Sequence, residues 1–412
     1  MIKKTFQLSY TDKWDKRISW AIMWSFTAPT INWIIKTSFV ISGGLWSLVS
    51  LITGASILLA WLLCLKEILR RSGKLLLISY AIFILLYTWS ILLCTLREEG
   101  INLVIESARM TFLQYLPVGV YIVSVYNKKI LYDTIIKYSN ITFVLLLFRV
   151  LTNFGIIHSE KEAIEYSMSF GYIIILPTLL HLNEFYNTKK RLYLFLAILE
   201  IIAIIVWASR GVLLSLGAFF LYKTLVTNNN IISKILTITL IIIIGLIISI
   251  YGNQILINSI NTLEKVGIES RTLNMIESNN IDNDSGRYNL FRISYDMITM
   301  KPLLGWGLGG ECYQIAKEIN QPIPDMGCTS HNGILQVMVQ FGLIGGLIIS
   351  LLVIIPIFGV NRIKNFYSKN IIEIYYCAYA IPALTISSGF FIQPAIAIFI
   401  FMFYFGNNLN NH

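Results

Sequence analysis

Charge is what this chain has least of. Only 13% of its 412 residues are Asp, Glu, Lys or Arg, about half the share typical of a soluble domain. The shortage falls on the acids, 22 against 32 Lys and Arg, which leaves a formal net charge of +10. Histidine is scarcer still, at four, and the five cysteines follow no metal-ligand spacing. Zinc-finger and metallohydrolase patterns are therefore excluded. The sequence shows no internal repeat and no low-complexity tract. A cleavable leader is not expected, because the first 17 residues are polar and basic and the first apolar run is too long for one.

Apolar sequence is abundant instead, at 56% of the chain, with a mean hydropathy of +0.69. A spanning helix needs roughly 20 apolar residues, and such runs recur from end to end. The pattern predicts an all-α polytopic membrane protein with twelve spans, at about 18–36, 43–65, 75–95, 102–125, 138–154, 168–186, 191–209, 211–227, 232–252, 331–358, 371–388 and 390–407. Nine of these form an expected N-terminal bundle over 1–252, and three a C-terminal group over 330–412. Between them lies a long polar loop, 253–329.

Twelve spans with the N-terminus inside put 20 Lys and Arg on the inner segments and four on the short outer ones (Lys36, Arg97, Lys161 and Arg210). The positive-inside rule then makes both termini cytoplasmic and explains much of the +10 as topology. Nucleic acid is not an expected partner. Membrane lipids are. The 253–329 loop becomes extracytoplasmic, and one long loop among short ones points to function.

Four features of the second half could carry chemistry. Arg210, in "VWASRGVLLS", is flush with the outer surface, where it can meet lipid-linked phosphate or merely snorkel to headgroups. In "DSGRYNLFRISYDMITMKP" the apolar Leu290, Ile293, Met297 and Ile298 recur at helical spacing, Asp284 or Ser285 can cap, and Pro302 ends the helix. Arg287 falls in its first turn, where helix N–H groups and a guanidinium suit a phosphate. A solvated Arg on an interfacial helix fits the same residues. "PLLGWGLGG" next supplies glycines for a close backbone approach to a ligand or for a tight structural turn. Then "SHNGILQ" brings His331 to the mouth of a helix, as a cap or as a base. Cys312 and Cys328, both in the outer loop, can pair in an oxidising compartment or stay as buried thiols.

The order of these features, from "ASRG" through the Arg-headed helix and "PLLGWGLGG" to "SHNGILQ" and "FGLIGG", resembles the O-antigen ligase and O-antigen polymerase family of bacterial inner-membrane glycosyltransferases. The resemblance covers about Arg210 to Leu347. It implies a GT-C-like helical fold and a glycan donor held on undecaprenyl diphosphate, with no cofactor and no metal. By resemblance, Arg210 and Arg287 match the diphosphate-contacting arginines and His331 the residue that activates the acceptor hydroxyl. Asn332, Gly305, Gly307 and Arg292 are candidates for supporting the loop around them. The expected partners are the lipid-linked oligosaccharide and a chain-length regulator protein.

Polymerase and ligase share this pattern. Polymerase is preferred because nothing in the loop looks dedicated to a lipid A surface. A lipid-linked oligosaccharide flippase is the rival class, and Arg109 and Arg149, inside expected spans, are its support.

Overall fold

The computed structural model describes residues 10–38, 44–97, 100–153, 168–207, 210–224, 239, 287–319, 329–385 and 393–406. Every regular element among them is helical. In chain order these are α1 (Tyr10–Ser38), α2 (Gly44–Arg97), α3 (Ile101–Met110), α4 (Leu116–Ser124), α5 (Lys128–Asn153), α6 (Met168–Thr188), α7 (Arg191–Trp207) and α8 (Arg210–Tyr222). After the 225–286 segment come α9 (Arg287–Met300), α10 (Gly310–Glu318), α11 (Gly333–Gly359), α12 (Phe366–Tyr375), α13 (Ile381–Thr385) and α14 (Pro394–Phe405).

The all-α class stands, but the expectation of twelve spans and a GT-C-like bundle does not. Among the described residues three helices are long and apolar enough to cross a membrane: Gly44–Leu93, Lys128–Leu151 and Gly333–Arg362. Gly211–Tyr222 and Pro394–Phe405 are shorter apolar helices. The reasons are local. The expected second and third spans are one 54-residue helix, α2, broken only at Ser72 (φ −138°, ψ 25°), so the loop predicted at 66–74 is helical. The fourth is split into α3, a π turn at Thr111–Tyr115, and α4. The eleventh is likewise interrupted, by a π turn at Tyr376–Ala380. α6 contains Pro177 and carries His181, Asn183 and Glu184 among its apolar residues. The ninth expected span, 232–252, falls outside the described residues apart from position 239. Three crossing helices still make this a multi-pass membrane protein.

The chain divides into two units. The first comprises Met1–Asn32, Gly43–Lys137 and Gly286–His412, and the second Trp33–Ser42 and Tyr138–Ser285. At the centre of the first is α4, "LPVGVYIVS", every residue of which is buried. It packs on α2 and α14. Gly119 makes that approach possible, since a Cβ there would stand 2.5 Å from the Phe401 ring. The outer faces of α2 and, from Leu343 onward, of α11 carry exposed Leu and Ile, as surfaces solvated by lipid do.

One end of the first unit is closed by a polar knot. Arg71 donates from Nε to Glu67 at 2.6 Å, and from Nη1 to the Ser124 carbonyl at 2.9 Å and to Asp15, with Arg71 and Asp15 fully enclosed. Asp15 also accepts from the backbone of Asn127 at 2.7 Å, and Lys128 donates to the Ile122 carbonyl at 3.1 Å. Tyr132 and Tyr367 meet beside it, ring centroids 5.7 Å apart, which brings the basic 362–369 segment to the same end.

In the second unit α6, α7 and α8 pack together around a buried histidine. His181 meets Glu200 at 3.0 Å through Nδ1, and Asn140 at 3.1 Å and Ser139 at 3.3 Å through Nε2.

Candidate active site

The opposite end of the first unit is assembled around a break in α11. Gly342 takes φ +72°, ψ −179° in the middle of that helix, a conformation open to glycine and not to residues with a Cβ. The break leaves the carbonyls of the preceding turn without helical partners, and the glycine-rich turn supplies them. Trp306 N–H donates to Val339 at 2.8 Å and Gly307 N–H to Gln340 at 3.0 Å. In return Leu343 N–H donates to Pro302 at 2.8 Å. Gly305, Gly307 and Gly309 all have positive φ. A Cβ at Gly305 would fall 2.4 Å from the Gln340 carbonyl oxygen. "PLLGWGLGG" is thus a dock for a broken helix. Of its two sequence readings, the structural turn is what the geometry shows.

α9 leans on the same dock. Its buried Met297 and Ile298 share a core with Trp306, Ile315, Ala316 and Val339, and Leu290, Ile293, Leu335 and Met338 pack at its edge. The indole N–H of Trp306 donates to the Met297 carbonyl at 3.0 Å. α9 and α11 both run toward the glycine-rich turn and pack on each other, so their N-terminal ends lie on the far side of it. Arg287 is the first residue of α9 and His331 stands two residues before α11. Asp284 and Ser285, the expected caps, fall outside the described residues. Arg292 is exposed on α9.

His331 was open to two readings, cap or base. The cap is Asn332: its Oδ1 accepts from Leu335 N–H at 3.0 Å, while its Nδ2 donates to the Thr385 carbonyl at 3.3 Å. Ser330 is buried and its hydroxyl donates to the Asn332 carbonyl at 3.0 Å. His331 is held between them with φ +50°. A non-glycine residue there costs of order 1 kcal/mol or more and persists only where its surroundings impose it. The bonded pair on either side does so here.

Glu311 was not foreseen from sequence. It is 2% exposed on the first turn of α10. Its Oε1 accepts from Gln336 at 3.0 Å and from Gln340, one turn apart on α11, and its Oε2 has no hydrogen-bond partner among the described residues. Burial pushes its carboxyl above the ordinary range. The two glutamine amides and the backbone N–H groups of Glu311 and Gly309 pull the other way. The available signal was Gln336 and Gln340 four apart on an otherwise apolar helix, which asks for a polar partner.

Arg210 is the first residue of α8, in the second unit. It is the first described residue of its helix, as Arg287 is of α9. Cys312 is buried on α10, and Cys328, its candidate partner, falls outside the described residues. Arg109 pairs with Glu106 one turn away, with 61% of its side chain exposed. It is a local surface pair, not a buried mid-membrane charge.

Residues 193–350 match a family model described as O-antigen ligase. No curated protein matches the chain. The matched stretch runs from α7 to the second half of α11 and takes in Arg210, Arg287, the glycine turn and His331. An O-antigen ligase-like domain therefore occupies this part of a multi-pass, all-α membrane protein.

Proposed function

We propose that the protein is a surface-polysaccharide polymerase of the bacterial inner membrane. It would transfer a glycan from undecaprenyl diphosphate to the sugar end of another lipid-linked repeat unit, on the outer face. The observation that carries this reading is His331. It lies inside the ligase-like stretch at the start of α11, in a left-handed backbone, with capping already done by Asn332.

In this reading His331 accepts the proton of the acceptor hydroxyl, whose oxygen bonds to the donor's anomeric carbon. The bond from that carbon to the diphosphate oxygen breaks, and undecaprenyl diphosphate leaves with the electron pair. A sugar hydroxyl is a weak nucleophile at neutral pH, so a base is needed. The leaving group gains negative charge, and Arg210 and Arg287 are assigned to it because a guanidinium fork matches phosphate oxygens. The basic knot at the opposite end of the first unit supports a cytoplasmic placement for that end and an outward placement for His331. Both termini are assigned to the cytoplasm.

A ligase that passes the glycan to lipid A core is the second reading, favoured by the description of the matching family model. A cell-envelope assay separates them. Deleting a polymerase leaves single repeat units on the surface lipid, and deleting a ligase leaves long chains on the carrier lipid alone. Loss of both products would instead indicate a flippase and overturn the proposal.

A further inference from the structure

The exposure pattern of α11 changes at one residue. From Gly333 to Gly342 every position is buried or half-buried, and from Leu343 onward an exposed stripe appears: Leu343, Ile344, Leu347, Ile348, Leu351, Leu352, Ile355 and Phe358. The 17 residues from Leu343 to Gly359 rise about 26 Å, close to the roughly 30 Å of a hydrocarbon core. α2 gives an independent measure of the same layer. From the break at Ser72 beside the polar knot to Ser90 is 18 residues, about 27 Å. Ser90 Oγ accepts from Leu308 N–H at 2.8 Å, and its neighbour Trp89 is 44% exposed, as indoles are at a membrane boundary. Both helices therefore leave the lipid at the level of the glycine-rich turn.

That turn exposes apolar side chains at this level. Met300 is 63%, Leu303 70% and Leu304 55% exposed, although the apolar stripe of α9 is otherwise turned inward. Pro302 is bonded to Leu343, the first residue of the lipid-facing stripe, so the patch is continuous with that surface.

We propose that Met300, Leu303 and Leu304 form a membrane anchor, inserted into the edge of the lipid layer on the side of the molecule that carries His331. The occupant of this surface is the bilayer itself. Anchoring fixes the height of the site. His331 then stands at most about 20 Å beyond the hydrocarbon edge, about 14 Å of helix from Gly342 back to Gly333 plus about 6 Å of non-helical chain. That is beyond a headgroup layer of roughly 5–8 Å, on the side where the sugars of a lipid-linked glycan would lie. The anchor itself does not depend on the reaction assigned to the site.

The test is a photo-crosslinking scan of the full chain in phospholipid vesicles. p-Benzoylphenylalanine would replace Leu303 or Leu304, one at a time, with Ile344 as the lipid-facing reference and Tyr288, 75% exposed at the far end of α9, as the aqueous one. Mass spectrometry counts phospholipid adducts after irradiation. Adduct yields at both turn positions within twofold of Ile344, and at least fivefold above Tyr288, are expected. Yields at both positions no higher than at Tyr288, or adducts to another protein alone, would overturn the proposal.

Discussion

The two ends of the first unit, about 27 Å apart along α2, treat buried polarity in opposite ways. At the knot the enclosed Arg71 faces the carboxylates of Asp15 and Glu67 and donates to the Ser124 carbonyl, while Lys128 is held by backbone carbonyls. At the site end the buried carboxyl of Glu311 meets only neutral amides and, among the described residues, keeps one oxygen without a partner. His331 there holds a strained backbone, and glycines replace side chains to fit one segment against another. The knot reads as architecture and the other end as a place where local consistency is given up, which is what functional sites do.

The largest break of that contrast is Arg71→Ala. It leaves Asp15 buried without its ion-pair partner and Glu67 with only the exposed Arg70, an expected loss of about 3–5 kcal/mol. The variant should fail to accumulate in membranes, as read by immunoblot and detergent melting. Normal accumulation would make the knot dispensable.

Arg210→Lys and Arg287→Lys should behave in the reverse manner, with normal accumulation and transfer reduced roughly 10²-fold, because a point charge cannot reproduce a planar fork. Turnover on a synthetic lipid-linked repeat unit measures this. Full activity in either variant returns that arginine to snorkelling or solvation.

Glu311→Ala removes the acceptor shared by Gln336 and Gln340 and should cost about 1–3 kcal/mol. The wild type should also show a pH signature. The folded carboxyl titrates above its unfolded value, so the native state holds the proton longer. Its stabilising effect is fully present below the ordinary carboxyl range and is lost as pH rises through the raised folded value. Melting temperature should fall over that window in the wild type and lose that slope in Glu311→Gln. An identical slope in both would mean another group is responsible.

The smallest effect is expected from Asn332→Ala, which removes the cap of α11 at about 1 kcal/mol. Transfer should fall with it, because the cap also holds His331 in its left-handed backbone. A stability loss with transfer unchanged would uncouple the cap from the site.

Much of this was legible in the sequence, but unevenly. The apolar runs identify the helices, and "PLLGWGLGG" and "SHNGILQ" locate the site end. The span count failed because hydropathy does not register how helices are joined. A single residue, Ser72, bends α2 where a loop was expected, and π turns divide runs that look uniform. His331 as base or cap was undecidable at that level, since both readings place it at the same helix mouth. The bonds of Asn332 give it the capping role, and the base role of His331 is a proposal. Glu311 was hidden because an acidic residue in a helix's first turn is ordinary, and only packing against two glutamines 25 and 29 residues away makes it unusual.

The central claim is that the site end transfers glycans with His331 as the base. The direct measurement is turnover by purified His331→Ala in vesicles supplied with an undecaprenyl-diphosphate-linked repeat unit, alongside its melting temperature. Loss of at least roughly 10²-fold in chain extension, with the melting temperature unchanged, is the predicted result. Near wild-type extension would contradict the account.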